Sequence, residues 1–227
     1  MSQDPKFIEA YQNREDLHSF TAKELFDLDC PVSEVKERHP EIRATAKQFN
    51  FAMVYEAGID TLAQNAGIKR SEAKAARSKY FARFRGIKNF INWSHQKART
   101  DGYIRTITGR KRHLEPATIT NPKNRYEHMM QGKYERKAVN SQVQGSAADV
   151  MALGMRDLSN ALKKKGMREQ VNFVLQVHDE IVLELPDDEE FERELEKIVK
   201  EELEDVVDLR VPIEIDYAVA DSWDKAK

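Results

Sequence analysis

The sequence predicts an α+β protein in which helices come first and a small antiparallel sheet with packed helices follows. Three observations carry this. Apolar residues recur with helical spacing over 41–57, 71–99 and 125–165, each stretch closed by a glycine shortly after it. Two β-rich runs, 171–177 and 181–185, are separated only by His178, Asp179 and Glu180, the signature of a hairpin. An acid-rich amphipathic helix follows within 187–208, and a last β-rich run, 211–219, closes the chain.

Taken in order, residues 5–40 read as short helices joined by turns, with Pro31 and Pro40 as breaks. The helix over 41–57 ends at Gly58, placed to adopt the left-handed C′ conformation. One long helix is expected from Ser71 to Arg99, stopped by Asp101 and Gly102. Tyr103 onward reads as a strand turning at Gly109, and a loop with Pro116 and Pro122 follows. Ala147, Val150, Met151, Gly154, Leu158, Ala161 and Leu162 mark the buried face of the next helix, which Gly166 ends. Phe191, Leu195, Ile198, Val199 and Leu203 do the same for the acidic helix. The change of character near residue 122 predicts two parts, 1–122 and 123–227.

Composition bounds the function. No apolar run approaches the length of a membrane span, so no membrane partner is expected. The polar N-terminus does not resemble a signal peptide, and the single cysteine, Cys30, gives no zinc or disulfide pattern, so a reducing, cytoplasmic setting is expected. The net charge of −2 conceals an asymmetry: Lys69 to Lys137 holds 19 Lys and Arg against 5 Asp and Glu, while the remainder holds 18 against 34. A basic middle in an acidic chain suits a polyanion, and equally a solvated helical surface.

Three sets of side chains have spacing that carries chemistry. Arg43, Lys47, Phe51 and Tyr55 are four apart and share one broad helix face, two cations and then two aromatics. A guanidinium and an ammonium near a helix N-terminus suit phosphates, and the rings suit a sugar and base. The same face also suits an amphipathic helix with its rings in the core. Asp179 and Glu180 at a hairpin tip are oxygen ligands suited to Mg²⁺, or an ordinary polar turn. Arg136, Asn140 and Gln144, again four apart, can donate to the minor-groove acceptors every base pair presents, or form an exposed polar face.

The full strings go further. Arg43 through Tyr55 resembles motif B of the family A DNA polymerases, Arg-x3-Lys-x2-Asn-Phe-Gly-x2-Tyr-Gly. Val177 through Glu180 resembles motif C, and Arg136 through Asp149 resembles the Arg-x3-Asn-x3-Gln-Gly-Thr-Ala-Ala-Asp helix. Glu15 through His18 resembles the family's Asp-Ile-His segment, and Thr106 through Arg112 its Thr-x2-Gly-Arg-Arg turn. Two positions depart: Ala52 and Glu56 stand where the family has glycine.

The resemblance implies a fingers subdomain over 1–122, with the nucleotide-binding helix at 41–57, and part of a palm over 123–227, with the metal-site hairpin at 171–185. His18, Arg43 and Lys47 are then expected at the dNTP phosphates, Phe51 and Tyr55 at the nascent pair, and Arg110, Arg136, Asn140, Gln144 and His178 on primer–template DNA. Asp179 is expected to hold metal, with Glu180 beside it and Lys47 as a further catalytic group. Phe51 implies rejection of dideoxynucleotides. The implied reaction is template-directed DNA synthesis with two Mg²⁺ ions. The family's motif A, which holds the second carboxylate, is not found in the sequence. The expectation is a C-terminal subunit of a split polymerase in a bacterial or phage-infected cell, inactive alone. A second polypeptide would carry motif A, the thumb and the rest of the palm. The alternative is a non-catalytic DNA-binding relic.

Overall fold

A computed structural model of the 227-residue chain describes every residue except Thr120 and Lys227. The described residues form nine α-helices and four short strands in two antiparallel hairpins, an α+β fold. They make two compact units, 1–143 and 144–227.

The first unit is helical. Asp4 caps α1 (Pro5–Gln12) and Asp16 caps α2 (Leu17–Phe26), each accepting from backbone N–H groups of the first turn. Pro31 precedes α3 (Val32–Arg38), and Pro40 is the first residue of α4 (Pro40–Val54), where its missing N–H costs nothing. The helix expected over 41–57 stops at Val54. Its left-handed residue is Glu56, at φ 53°, so Gly58 is not the C′ residue. Gly58 instead begins a helix the periodicity missed, α5 (Ile59–Ala66). That helix is two turns long, too short for its apolar repeat to stand out.

The single helix expected over 71–99 is two, α6 (Arg70–Arg83) and α7 (Arg85–Asp101). Phe84 breaks it with non-helical dihedrals, φ −113° and ψ 68°, and is fully buried, its ring edge-on to Phe7 and Tyr80. Gly86 follows two residues later, inside α7, and the packed ring of Phe84 sits at the break itself. Phe49, Met53, Leu62, Tyr80, Ile87 and Ile91 complete this core. β1 (Tyr103–Arg105) pairs with β2 (Lys111–His113) across a turn in which Gly109 takes φ 87°. The Pro116 loop contains a 3-10 turn, Glu115–Thr118.

The uninterrupted α8 (Arg125–Lys164) carries the boundary between the units and ends at Gly166, φ 73°. In the second unit β3 (Asn172–Val177) pairs with β4 (Glu180–Glu184), with a register shift between Phe173 and Leu175. Asp188 caps α9 (Glu189–Glu204). Leu158, Leu162, Val171, Leu195, Ile198 and Val199 form the core here. α8 and α9 approach closely at Gly154, where an added Cβ would lie 2.7 Å from Leu203.

The strand expected over 211–219 does not form. Burial alternates along it: Val211, Ile213, Ile215 and Tyr217 are half-buried, and Pro212, Glu214, Asp216 and Ala218 are exposed. It therefore runs as an extended segment with a strand's periodicity, but no described strand hydrogen-bonds to it. Period two reports an alternating environment; a ladder also needs a neighbour.

Candidate functional site

In the first unit α2 and α4 bring the phosphate-binding candidates together. Asn50, buried on α4, organises the junction: its amide Nδ2 donates to Thr21 Oγ1 at 3.0 Å and lies 3.2 Å from His18 Nδ1. The Thr21 hydroxyl donates to Leu17 O at 2.8 Å, and the buried Tyr80 hydroxyl donates to Asn50 Oδ1 at 3.2 Å. Every buried side chain of this knot, Thr21, Asn50 and Tyr80, has a partner, which fixes α2 against α4. Accepting at Nδ1 leaves the proton of a neutral His18 on Nε2.

Arg43 is not open. Its guanidinium forks onto the Asp16 carboxylate, with Nε to Oδ2 at 3.0 Å and Nη2 to Oδ1 and Oδ2 at 3.0 and 2.7 Å. Burial pushes the Asp16 carboxyl up, but the hydrogen bonds and charge of Arg43 outweigh it and hold the group below the usual carboxylate range. Lys47, one turn further on, is exposed, and no described residue pairs with it. His18 is half-buried, and desolvation holds its pKa below the ordinary value; Asp16 opposes this, and Arg43 and Lys47 add to it. The folded state thus binds fewer protons at His18 than the unfolded chain does. This contribution destabilises the fold as pH falls through the unfolded value of about 6.5 and vanishes above it. In an NMR titration His18 should titrate below a free histidine, and Asp16→Asn should move it lower still. An upward movement would contradict this electrostatic account.

Phe51 is half exposed, its ring 6.0 Å from that of His18 and parallel to that of Tyr55, 5° between planes at 6.3 Å. His18, Lys47, Phe51 and Tyr55 therefore belong to one surface of α4 and α2, with Arg43 held at its edge by Asp16. Ala52 is buried at 7% exposure, where one methyl fits the core. Glu56 explains why glycine suits its position: the backbone there is left-handed, a strain of about 1 kcal/mol for a residue with a Cβ. A hydrogen bond between His95 Nε2 and Glu56 Oε2, at 2.8 Å, offsets it and ties the chain just past α4 to α7.

Arg110 is exposed beside the β1–β2 turn, followed by exposed Lys111 and Arg112. Along α8 Arg136 is exposed and Asn140 half-buried, with its Oδ1 buried and unpartnered. A buried acceptor without a donor is costly. Gln144 is exposed.

In the second unit His178 occupies the β3–β4 turn at φ 54°, its carbonyl accepting from Gln176 Nε2 at 2.6 Å. The two vicinal carboxylates differ. Glu180 is already the first residue of β4, and its carboxylate accepts from the indole Nε1 of Trp223. Asp179 is exposed in the turn and has no described partner, so it is the carboxylate ready for a cation. Among the described residues no three His, Cys, Asp or Glu side chains converge as a complete metal site.

The sequence reading missed Asp16, Asn50 and His95 as organisers. Asp16 had a signal as an N-cap residue before an apolar run, and Asn50 as the asparagine of the motif B string; His95 had none.

Comparison with known proteins adds the following. The model of DNA polymerase family A matches residues 1–225. DNA polymerase I of Streptococcus pneumoniae strain R6 is 38% identical over 227 residues, all of this chain and 24% of that protein. DNA polymerase I of Caldicellulosiruptor bescii is 35% identical over the same span, 25% of its length. The POL domain of Pol1 from M. smegmatis, solved in complex with DNA primer-template and dNTP, matches 99% of this chain and 37% of its own, with TM-score 0.88 and 36% identity. The chain thus spans about a quarter of the length of the curated relatives it matches.

Proposed function

We propose that this chain, which belongs to DNA polymerase family A, supplies the fingers and part of the palm of a template-directed DNA polymerase. The observation that carries the reading is the α4 surface: one unpaired lysine, one arginine and two parallel rings, joined by His18, in the order a triphosphate, sugar and base require.

In this reading Lys47 holds the triphosphate by charge, and Arg43 joins it by exchanging the Asp16 carboxylate for phosphate oxygens. His18, neutral before binding, takes up a proton as the anion arrives. Phe51 and Tyr55 frame the nascent pair, and their parallel rings exclude water from it. Asn140 and its neighbours on α8, with Arg110, follow the duplex, and His178 lies near the primer end. The open carboxylate of Asp179 fits one ligand position of Mg²⁺, with Glu180 alongside. Bound at Asp179, Mg²⁺ would supply positive charge to favour the deprotonated primer 3′-hydroxyl and to offset the charge of the leaving pyrophosphate.

One exposed carboxylate does not hold a two-metal site, so we assign the second ligand set to a motif A-bearing polypeptide that also supplies thumb and remaining palm. Val174 and Leu175 exposed on β3, and the ladderless segment 211–219, support a missing neighbour for this unit. The test is primer extension with Mg²⁺ and dNTPs, first by the 227 residues alone and then with that polypeptide. The expected result is synthesis only in the second case. Robust synthesis by the chain alone would remove the need for a partner. Failure of dNTP binding in both would return the chain to a DNA-binding relic.

In the complemented enzyme, Phe51→Tyr should raise dideoxynucleotide incorporation at least about tenfold, the worth of one added hydrogen bond near the sugar. A sequencing ladder reads this directly, and unchanged termination would argue against Phe51 as the sugar contact.

A further inference from the structure

The basic residues of α6 and α7 sort into two sets. Lys79 and Arg83 pair with Asp27, Lys97 with Asp101, and Arg99 with Glu135. The other set, Arg70, Lys74, Arg77, Arg85 and Lys88, lines a single open cleft of about 800 Å³ that has no Asp or Glu in its wall. Of these five only Arg70 has an ion pair, with the exposed Asp60. No described carboxylate neutralises the remaining four. The fold pairs off the basic residues of these two helices everywhere except in this concavity.

The cleft differs in kind from the α4 surface. It lies on α6 and α7 and involves none of His18, Arg43, Lys47, Phe51 or Tyr55. Its walls add amide and hydroxyl donors from Ser78, Asn89 and Asn92, and an aromatic face from Phe81, over which Arg77 sits at 5.7 Å. One helical turn beyond Asn89, Trp93 is 52% exposed. Unneutralised cations on two helical walls, with aromatic rings at hand, are the elements that hold a flexible polyanion carrying flat bases. The volume of the cleft matches a few units of such a chain.

We propose that the α6–α7 cleft is a second nucleic-acid site, which binds the sugar–phosphate backbone of single-stranded DNA. Lys74 and Arg77 from one helix and Arg85 and Lys88 from the other take the phosphates, and the aromatic residues take bases. The proposal does not depend on catalysis by this chain.

Fluorescence anisotropy of a labelled oligothymidylate, titrated with the full chain, tests it. Lys74→Glu/Lys88→Glu changes one residue in each helix, neither with a described hydrogen bond from its side chain, and Lys74→Ala/Lys88→Ala serves if the first variant fails to fold. The expected result is at least about tenfold weaker binding, with a shallower salt dependence by about 0.7 per lost phosphate contact. Affinity for a blunt duplex should not change. An unchanged oligothymidylate affinity would overturn the proposal, as would an equal loss of blunt-duplex affinity. Equally tight binding of polyglutamate, lost in the same variant, would also overturn it by assigning the cleft to acidic peptides. Failure of the polymerase reading would appear separately, as absent primer extension by the complemented wild type.

Discussion

Lys47→Ala is expected to lower turnover of the complemented polymerase about 10²- to 10³-fold while leaving primer–template affinity nearly intact. The scale is that of losing one preorganised donor to transition-state charge. The structure gives a reason to single out Lys47 over Arg43. Arg43 already has a carboxylate and must break three contacts with Asp16 to meet a phosphate. Lys47 has none to break. Its charge is therefore available from the first encounter, and its loss is not made good by a neighbour. Single-turnover kinetics with saturating dNTP separates the two quantities. A parallel fall in primer–template affinity would take Lys47 away from the triphosphate and place it on DNA.

Gly86→Ala is expected to cost about 3 kcal/mol of stability, by overpacking and by loss of a buried hydrogen bond. A Cβ on Gly86 would lie 2.4 Å from the Asp4 Cα and 2.7 Å from its backbone nitrogen, so backbone must move. Asp4 itself is 1% exposed and does double duty. Its Oδ1 caps α1, accepting from Lys6 and Phe7 N–H, while its Oδ2 accepts from Gly86 N–H at 2.7 Å. One carboxylate thus joins the start of the chain to the start of α7. A urea or thermal melt reads the loss. A variant as stable as wild type would mean that the α1–α7 contact yields without cost.

Much of this protein is written in local sequence. The helical periods, the proline and aspartate helix starts and the two-residue turn between β3 and β4 are all local signals, because each depends on residues a few positions apart. So is the alignment of Lys47, Phe51 and Tyr55, since spacing of four fixes a common face once the helix exists.

What local sequence could not carry is whatever depends on residues brought from far along the chain. Phe84 interrupts the helical period where its ring fits among Phe7, Phe20 and Tyr80. Two residues past α4 a glutamate takes a glycine conformation, and His95, 39 residues away, holds its carboxylate. Segment 211–219 has a strand's alternation and no ladder, because a ladder needs another strand. Asp16 and Asn50 shape the candidate site through partners 27 and 32 residues distant, Arg43 and His18. Sequence by itself determined the family, the helices and the chemical types on the α4 face. Tertiary structure decided which of those groups are engaged and which are open, since pairing of charges and satisfaction of buried polar atoms are set by three-dimensional neighbours.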